Sequence, residues 1–144
     1  MGLLSFLREL VDGGGTEEDK LVRAELEQVR ALAEAAERGE SVAAGEPLGP
    51  KLRRRYHFVG MVQGVGFRFT TTNLASSAGA TGWVRNENDG SVTAEIQGIA
   101  EQIDAVISGL ERYYNRRTFM GGFSIESVRD VPVVKDELEF GPRY

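Results

Sequence analysis

Helical and strand periodicities follow one another along this chain, with a change of character near residue 50. Leu3, Leu4, Phe6, Leu7 and Leu10 form a short apolar stripe, which Gly13-Gly14-Gly15 breaks. Thr16 is a good helix N-cap, and Glu17, Glu18 and Asp19 suit the positive end of the helix that follows. Val22, Leu26, Val29, Ala33 and Ala36 then recur at spacings of four and three residues. They predict a helix of about residues 17–38 with one narrow apolar stripe. That stripe is too short to specify a coiled coil. Three arrangements stay open: docking on the rest of the molecule, self-association with a second chain, or a mobile helix. Gly39 and the segment Ala43 to Pro50, rich in glycine and proline, read as a linker.

From Arg53 the period shortens. Residues 53–62 have strand character and run into a glycine-rich turn. Phe67 to Ala78 reads as a helix closed by Gly79, and Thr81 to Asn86 as a strand. Asn88-Asp89-Gly90 supplies a hairpin turn, since Asp-Gly tolerates the positive φ such turns need. Val92, Ala94 and Ile96 alternate with Thr93 and Glu95, the mark of a strand with one apolar face. Ala100 to Tyr114 is a helix with Ile103, Val106, Ile107 and Leu110 on one side. Ser124 to Val134 gives a fourth strand and Glu137 to Tyr144 a fifth. The order is strand, helix, strand, strand, helix, strand. It predicts an α+β fold, a ferredoxin-like βαββαβ sandwich with two helices on one face of an antiparallel sheet. The chain divides into a helical extension and linker, residues 1–50, and a folded domain, residues 51–144.

Charge follows the same division. Residues 1–50 hold 11 acidic and 5 basic residues, residues 51–144 hold 11 and 12, and the whole chain of 144 residues carries −5. A near-neutral domain behind an acidic extension lacks the basic excess of a nucleic-acid surface. Lys51, Arg53, Arg54 and Arg55 read as a solvated strand entry. His57 alternates with Tyr56 and Phe58 and is expected on the open side of the sheet. With no cysteine and a single histidine, disulfides, thiolate catalysis, cysteine-bound zinc and a multi-histidine metal site are excluded within one chain. No apolar run approaches the roughly 20 residues needed to span a membrane. The first fifteen residues lack a signal-peptide pattern, and Phe6 stands where a myristoylation signal wants Ser or Thr. A cytoplasmic protein without a membrane partner is expected.

The most informative segment is Gly60-Met61-Val62-Gln63-Gly64-Val65-Gly66-Phe67-Arg68. A loop with three glycines between a strand and a helix can turn several backbone N–H groups toward one point, and the helix aims its positive end there too. Arg68, in the first turn, offers a planar two-pronged donor suited to phosphate oxygens. The loop lacks the Gly-Lys-Ser/Thr of a nucleotide P-loop, and Phe69 occupies the third glycine position of a dinucleotide fingerprint.

This segment resembles the signature of the acylphosphatase family: glycine-x-valine-glutamine-glycine-valine-x-phenylalanine-arginine. Gly82-Trp83-Val84-Arg85-Asn86, followed by Asp89-Gly90-Ser91-Val92, resembles the family's second block, and the ending Arg143-Tyr144 is similar to that of many members. The resemblance covers about residues 53–144. It implies a metal-independent, cofactor-free hydrolase that cleaves acyl phosphates to carboxylate and inorganic phosphate. By position, Met61, Val62, Gln63, Gly64, Val65 and Gly66 would cradle the phosphate through backbone N–H groups. Arg68 would bind the phosphate and Asn86 would orient the attacking water. Arg85 falls outside the catalytic positions, and Trp83 reads as packing.

Some positions depart from the family pattern. Met61 stands where many members carry a basic or polar residue, and Gly141-Pro142 replaces a more regular strand ending. Pro142 lacks an N–H, so its strand is expected at an edge. The segment Asn115 to Phe123 also differs from the usual connection. Two other readings share the fold: a phosphate- or small-ligand-binding module without turnover, and a domain handling carbamoyl phosphate, usually part of a larger protein with cysteine-rich zinc modules.

Overall fold

The computed structural model describes residues 17–38, 49–115 and 122–144. The stripe at Leu3 to Leu10, the Thr16 cap, the linker from Gly39 to Leu48 and the middle of the segment from Asn115 to Phe123 lie outside the described residues. So does the Ala36 side chain.

The elements are α1 (Glu17–Glu37), β1 (Leu52–Gly60), α2 (Phe67–Ala78), β2 (Thr81–Asn86), β3 (Val92–Gly98), α3 (Ala100–Tyr114), β4 (Phe123–Asp130) and β5 (Phe140–Arg143). They form one sheet in the order β4-β1-β3-β2-β5. The β1–β3, β1–β4 and β2–β3 pairs are antiparallel, and β5 joins β2 in parallel at the edge. This is the expected ferredoxin-like sandwich, with a parallel edge strand added to an antiparallel sheet. Pro142 sits on that edge strand, where a missing N–H costs no inner ladder bond. Strand β4 stops at Asp130, short of the expected Val134: Val131 still donates its N–H to Arg53 O across to β1, but Pro132 has no N–H to continue the ladder.

Cross-strand pairing places Tyr56, Phe58, Val84, Ala94 and Ile96 on the face toward the helices, and all are buried. Phe67 of α2 packs at 5.0 Å from Phe58 and 5.2 Å from Tyr114, and Phe123 meets both Phe58 and Phe67 nearly edge-on. Such tilted contacts suit the ring quadrupoles. Gly82 (φ 134°) sits where a Cβ would fall 1.9 Å from the Glu95 carbonyl, so β2 approaches β3 there only without a side chain.

A third helix joins the two expected on this face. Val22, Leu26 and Val29 of α1 enter the same buried cluster as the sheet, and Arg112 of α3 reaches Glu25 at 3.2 Å. The apolar stripe of α1 is therefore used within the chain, against α2 and α3.

The open face is less open than the alternation predicts. Arg53, expected in a solvated strand entry, is 2% exposed. It donates to Glu95 at 2.6 Å, Gln97 at 3.1 Å and Glu137 at 2.7 Å, and Arg55 donates to the other Glu95 oxygen at 2.6 Å. Gln97 also exchanges two hydrogen bonds with the backbone of Val134. The β4–β5 connection thus lies over this end of the sheet, turning expected solvent-facing positions into a buried ion network. Burial alone pushes the Glu95 carboxyl up, but the hydrogen bonds from Arg53 and Arg55 outweigh it and hold it below the ordinary glutamate value.

Two outcomes follow for stability. Leu26→Ala, at a site 2% exposed, is expected to lower unfolding free energy by about 2–3 kcal/mol in urea titrations; an undocked α1 would leave it unchanged. Removing one partner of a buried ion pair costs about 3–5 kcal/mol, so Glu95→Gln is expected to cost about 3 kcal/mol at pH 7. A depressed carboxyl stabilises the fold above its unfolded-state value and loses that contribution as pH falls through the folded value. The gap between wild type and Glu95→Gln should therefore narrow below the ordinary value of 4.5, as measured by urea midpoints from pH 7 to pH 3.

Candidate active site

The β1–α2 loop is shaped by glycine. Gly60, Gly64 and Gly66 take φ of 107°, 76° and 75°, values that L side chains rarely adopt. At Gly60 a Cβ would also lie 2.7 Å from the carbonyl of Gly122. That carbonyl accepts the Met61 N–H at 2.9 Å, and Gly60 O accepts the Val62 N–H at 3.0 Å. The first two loop amides are therefore engaged. Those from Gln63 through Phe69 have no acceptor among the described residues. Gly66 caps α2 in the left-handed conformation without a side-chain bond, and the helix ladder begins with the Thr70 N–H to Gly66 O. The result is an uncapped helix end with consecutive unfilled donors, the arrangement that attracts an anion.

A cavity of about 510 Å³ opens at this end. Its loop side is formed by Val62, Gln63, Gly64 and Gly66, and Arg68 and Asn86 also line it. Asn86 closes β2 opposite Val92, on the helix-facing side of the sheet, which is why the end of β2 meets the loop. Its side chain makes no hydrogen bond among the described residues. Arg68 lies 4.8 Å from the Tyr144 ring centroid, a cation–π contact that brings the chain end to the cavity. Phe69 and Pro142 complete the outer wall. Met61 and Val65, two of the positions assigned by resemblance, do not line the cavity. Met61 is 55% exposed, and Val65 O accepts from the Tyr114 hydroxyl at 3.1 Å.

Gln63 has a role that sequence reasoning missed. Its Nε2 donates to the carbonyls of Glu87 and Ser91, both at 2.8 Å. It thereby ties the loop to the β2–β3 hairpin that follows Asn86. The hairpin is itself tightened by Asp89, which accepts from the Ser91 hydroxyl at 2.5 Å and from its N–H at 3.0 Å. Those bonds hold the Asp89 carboxyl below its ordinary value. Backbone acceptors leave no residue-type signal, so the Gln63 tie could not be read from spacing.

The other candidates fall elsewhere. His57 lies on the open face beside Thr93, on the opposite side of the sheet from Asn86. Trp83 is 5% exposed beneath Arg55, Arg85 and Arg143, whose guanidinium carbons lie 5.7, 5.1 and 4.6 Å from its ring. Arg85 also meets Glu87 at 2.7 Å, a partly exposed ion pair at the end of β2. Among the described residues no group of three His, Asp or Glu side chains could hold a metal ion, and no helix is long and apolar enough to cross a membrane.

The acylphosphatase family model matches residues 54–128, which include the loop, Arg68 and Asn86. The chain belongs to the acylphosphatase family. It is 49% identical over 82 residues to an acylphosphatase of Oceanobacillus iheyensis, covering 56% of this chain and 90% of the relative. An acylphosphatase of Rhizobium etli is 53% identical over 58 residues, 40% of this chain and 62% of its own length. Among solved structures, acylphosphatase from Bacillus subtilis superposes with a TM-score of 0.53 at 25% identity, over 65% of this chain and 99% of its own. Full-length HypF, in its phosphate- and nucleotide-bound form, gives a TM-score of 0.53 at 29% identity over 66% of this chain but 12% of its own.

If the Gln63 tie holds loop and hairpin together, Gln63→Leu should lower unfolding free energy by about 1–3 kcal/mol, the loss of two hydrogen bonds at about 0.5–1.5 kcal/mol each. It should also speed hydrogen exchange at the Glu87 and Gly90 amides. Unchanged stability together with unchanged exchange would show that the tie carries no energy.

Proposed function

We propose that the enzyme hydrolyses acyl phosphates to carboxylate and inorganic phosphate without a metal, by in-line attack of a water held by Asn86. The observation that carries this is the convergence of unfilled amide donors, Arg68 and Asn86 on one cavity, where Arg68 is the one charged side chain in the lining among the described residues. In this reading the phosphate sits against the N–H groups of Gln63 to Gly66 and the first turn of α2. Met61 and Val62 shape the loop through their backbone bonds. The substrate's phosphoryl oxygens accept from these fixed dipoles and from the Arg68 guanidinium, which stabilise charge as it redistributes in a loose transition state. The leaving group is a carboxylate, so no strong general acid is needed to protonate it. Asn86 is a poor base, but a water attacking a loose transition state need not be deprotonated first. The amide oxygen and nitrogen of Asn86 orient it.

The family membership supports the same chemistry. The likeness to HypF extends over a small part of that protein, and the cavity offers no feature that favours a carbamoyl group. Among the described residues, the lining of the cavity comes from residues 62–144, and α1 contributes to the core without lining it.

Arg68 and Asn86 should fail differently. Arg68→Ala is expected to lower turnover about 100- to 1000-fold, the loss typical of one positioned transition-state donor, and to weaken inhibition by inorganic phosphate. Asn86→Ala should depress kcat severely and leave phosphate inhibition nearly unchanged, because the water and not the phosphate is lost. Chelator should leave the wild-type rate as it is. A folded Asn86→Ala enzyme with normal kcat would remove the water-orienting role. Unchanged phosphate affinity in folded Arg68→Ala would remove the cradle.

A further inference from the structure

Gly66 gives the loop its turn and also its weak point. Glycine accepts positive and negative φ about equally, so the peptide plane between Val65 and Gly66 can turn over at little steric cost. The φ of 75° at Gly66 belongs to one of the two orientations. In it the Gly66 N–H has no acceptor among the described residues, and Gly66 lines the cavity whereas Val65 does not. Turned over, the same plane would present the Val65 carbonyl to the cavity, an acceptor where an anion needs a donor. Tyr114, the last residue of α3 and fully buried, opposes that turn. Its hydroxyl oxygen lies 3.1 Å from Val65 O and 3.1 Å from the Thr70 hydroxyl oxygen. A tyrosine hydroxyl has one proton and a carbonyl oxygen can only accept, so the Tyr114 proton goes to Val65 O and the Thr70 hydroxyl donates to Tyr114. Thr70 is itself fully buried, and its N–H holds Gly66 O at 2.9 Å. Burial pushes the Tyr114 phenol above its ordinary value, so it stays a donor at neutral pH.

We infer that Tyr114 is a positioning residue for the anion site: by holding Val65 O toward the core, it aims the Gly66 N–H at the bound phosphoryl group. This rests on the phosphate-cradle reading given above and adds the residue that keeps one of its donors in place. In a trans peptide the C=O and the N–H point in opposite directions. A carbonyl fixed toward Tyr114 therefore turns the next N–H away from the core, to the side on which Gly66 meets the cavity. A donor aimed before the anion arrives needs no reorganisation when charge develops there. Tyr114 stands 49 positions beyond Val65 and lines no part of the cavity, so it acts through the peptide alone.

Amide NMR of the full chain, titrated with inorganic phosphate, tests this without turnover. In the wild type, phosphate should shift the Gly66 amide proton. Tyr114→Phe keeps the ring and loses the hydroxyl. It is expected to bind phosphate about 10-fold more weakly, the scale of one hydrogen bond to a charged group, and its Gly66 amide should no longer respond. Leu26→Ala, a core substitution on α1 away from the cavity, is the control for stability. It should unfold more easily and keep both the affinity and the Gly66 response. If Tyr114→Phe does not fold, Thr70→Val, which removes the second link of the chain, is expected to weaken the same two readouts. Wild-type affinity and a wild-type Gly66 response in the folded variant, or an equal loss in Leu26→Ala, would overturn the inference. A wild type in which no loop amide responds to phosphate would overturn it together with the cradle. Phosphate binding that depends on Tyr114, without hydrolysis of acetyl phosphate, would uphold the positioning role and sink the hydrolase reading instead.

Discussion

An uncapped helix end cannot stay empty of partners without cost, and this site is organised around one. The amides from Gln63 to Phe69, running from the loop into the first turn of α2, have no protein acceptor among the described residues. Water or an anion must satisfy them. The chain does not rescue the helix with a side-chain cap: Gly66 occupies that place in a conformation that turns the backbone sharply. What would be a defect elsewhere is held open here by bonds around it. Met61 and Val62 anchor the loop at its start, and Thr70 closes the first helical turn at its end.

The neighbouring pieces then acquire a purpose. Gln63 spans from the loop to the hairpin, so the donors and Asn86 belong to one rigid unit. Phe67 follows the last loop glycine and drives into the core between Phe58, Phe123 and Tyr114, which fixes the direction of α2 and hence of Arg68. Tyr114 donates its hydroxyl hydrogen to Val65 O, and its oxygen also lies within hydrogen-bond distance of the Thr70 hydroxyl. Core packing and site geometry are therefore the same set of contacts read from two sides.

The far side of the sheet performs a different task. Arg53, Arg55, Glu95 and Glu137 form an ion network beneath the β4–β5 connection. A buried pair is weak evidence for net stability, since desolvation offsets much of the attraction. Its effect here is positional. It fixes the connection that leads into β5, and β5 delivers Pro142 and Tyr144 to the cavity wall. Charges on one face of the sheet thus help to place apolar groups at the mouth of a cavity on the other.

Local spacing alone determined much of this protein. The bounds of α2, β2 and α3, the turn at Asp89-Gly90, the glycine loop and the place of Arg68 in the first helical turn all depend on residues within a few positions of one another. Asn86 was legible as a candidate only through resemblance, because its spatial nearness to the loop comes from β2 lying beside β3 and α2. Tertiary structure decided the rest. The same stripe on α1 could have docked, dimerised or stayed free, and the choice depended on the surface that α2 and α3 presented. The cluster from Lys51 to Arg55 reads as solvated until a segment some eighty residues later covers Arg53. Gln63 finds its partners among backbone carbonyls, which every residue carries and no sequence pattern marks. Periodicity reports which face a side chain takes, but not which distant segment will lie upon that face.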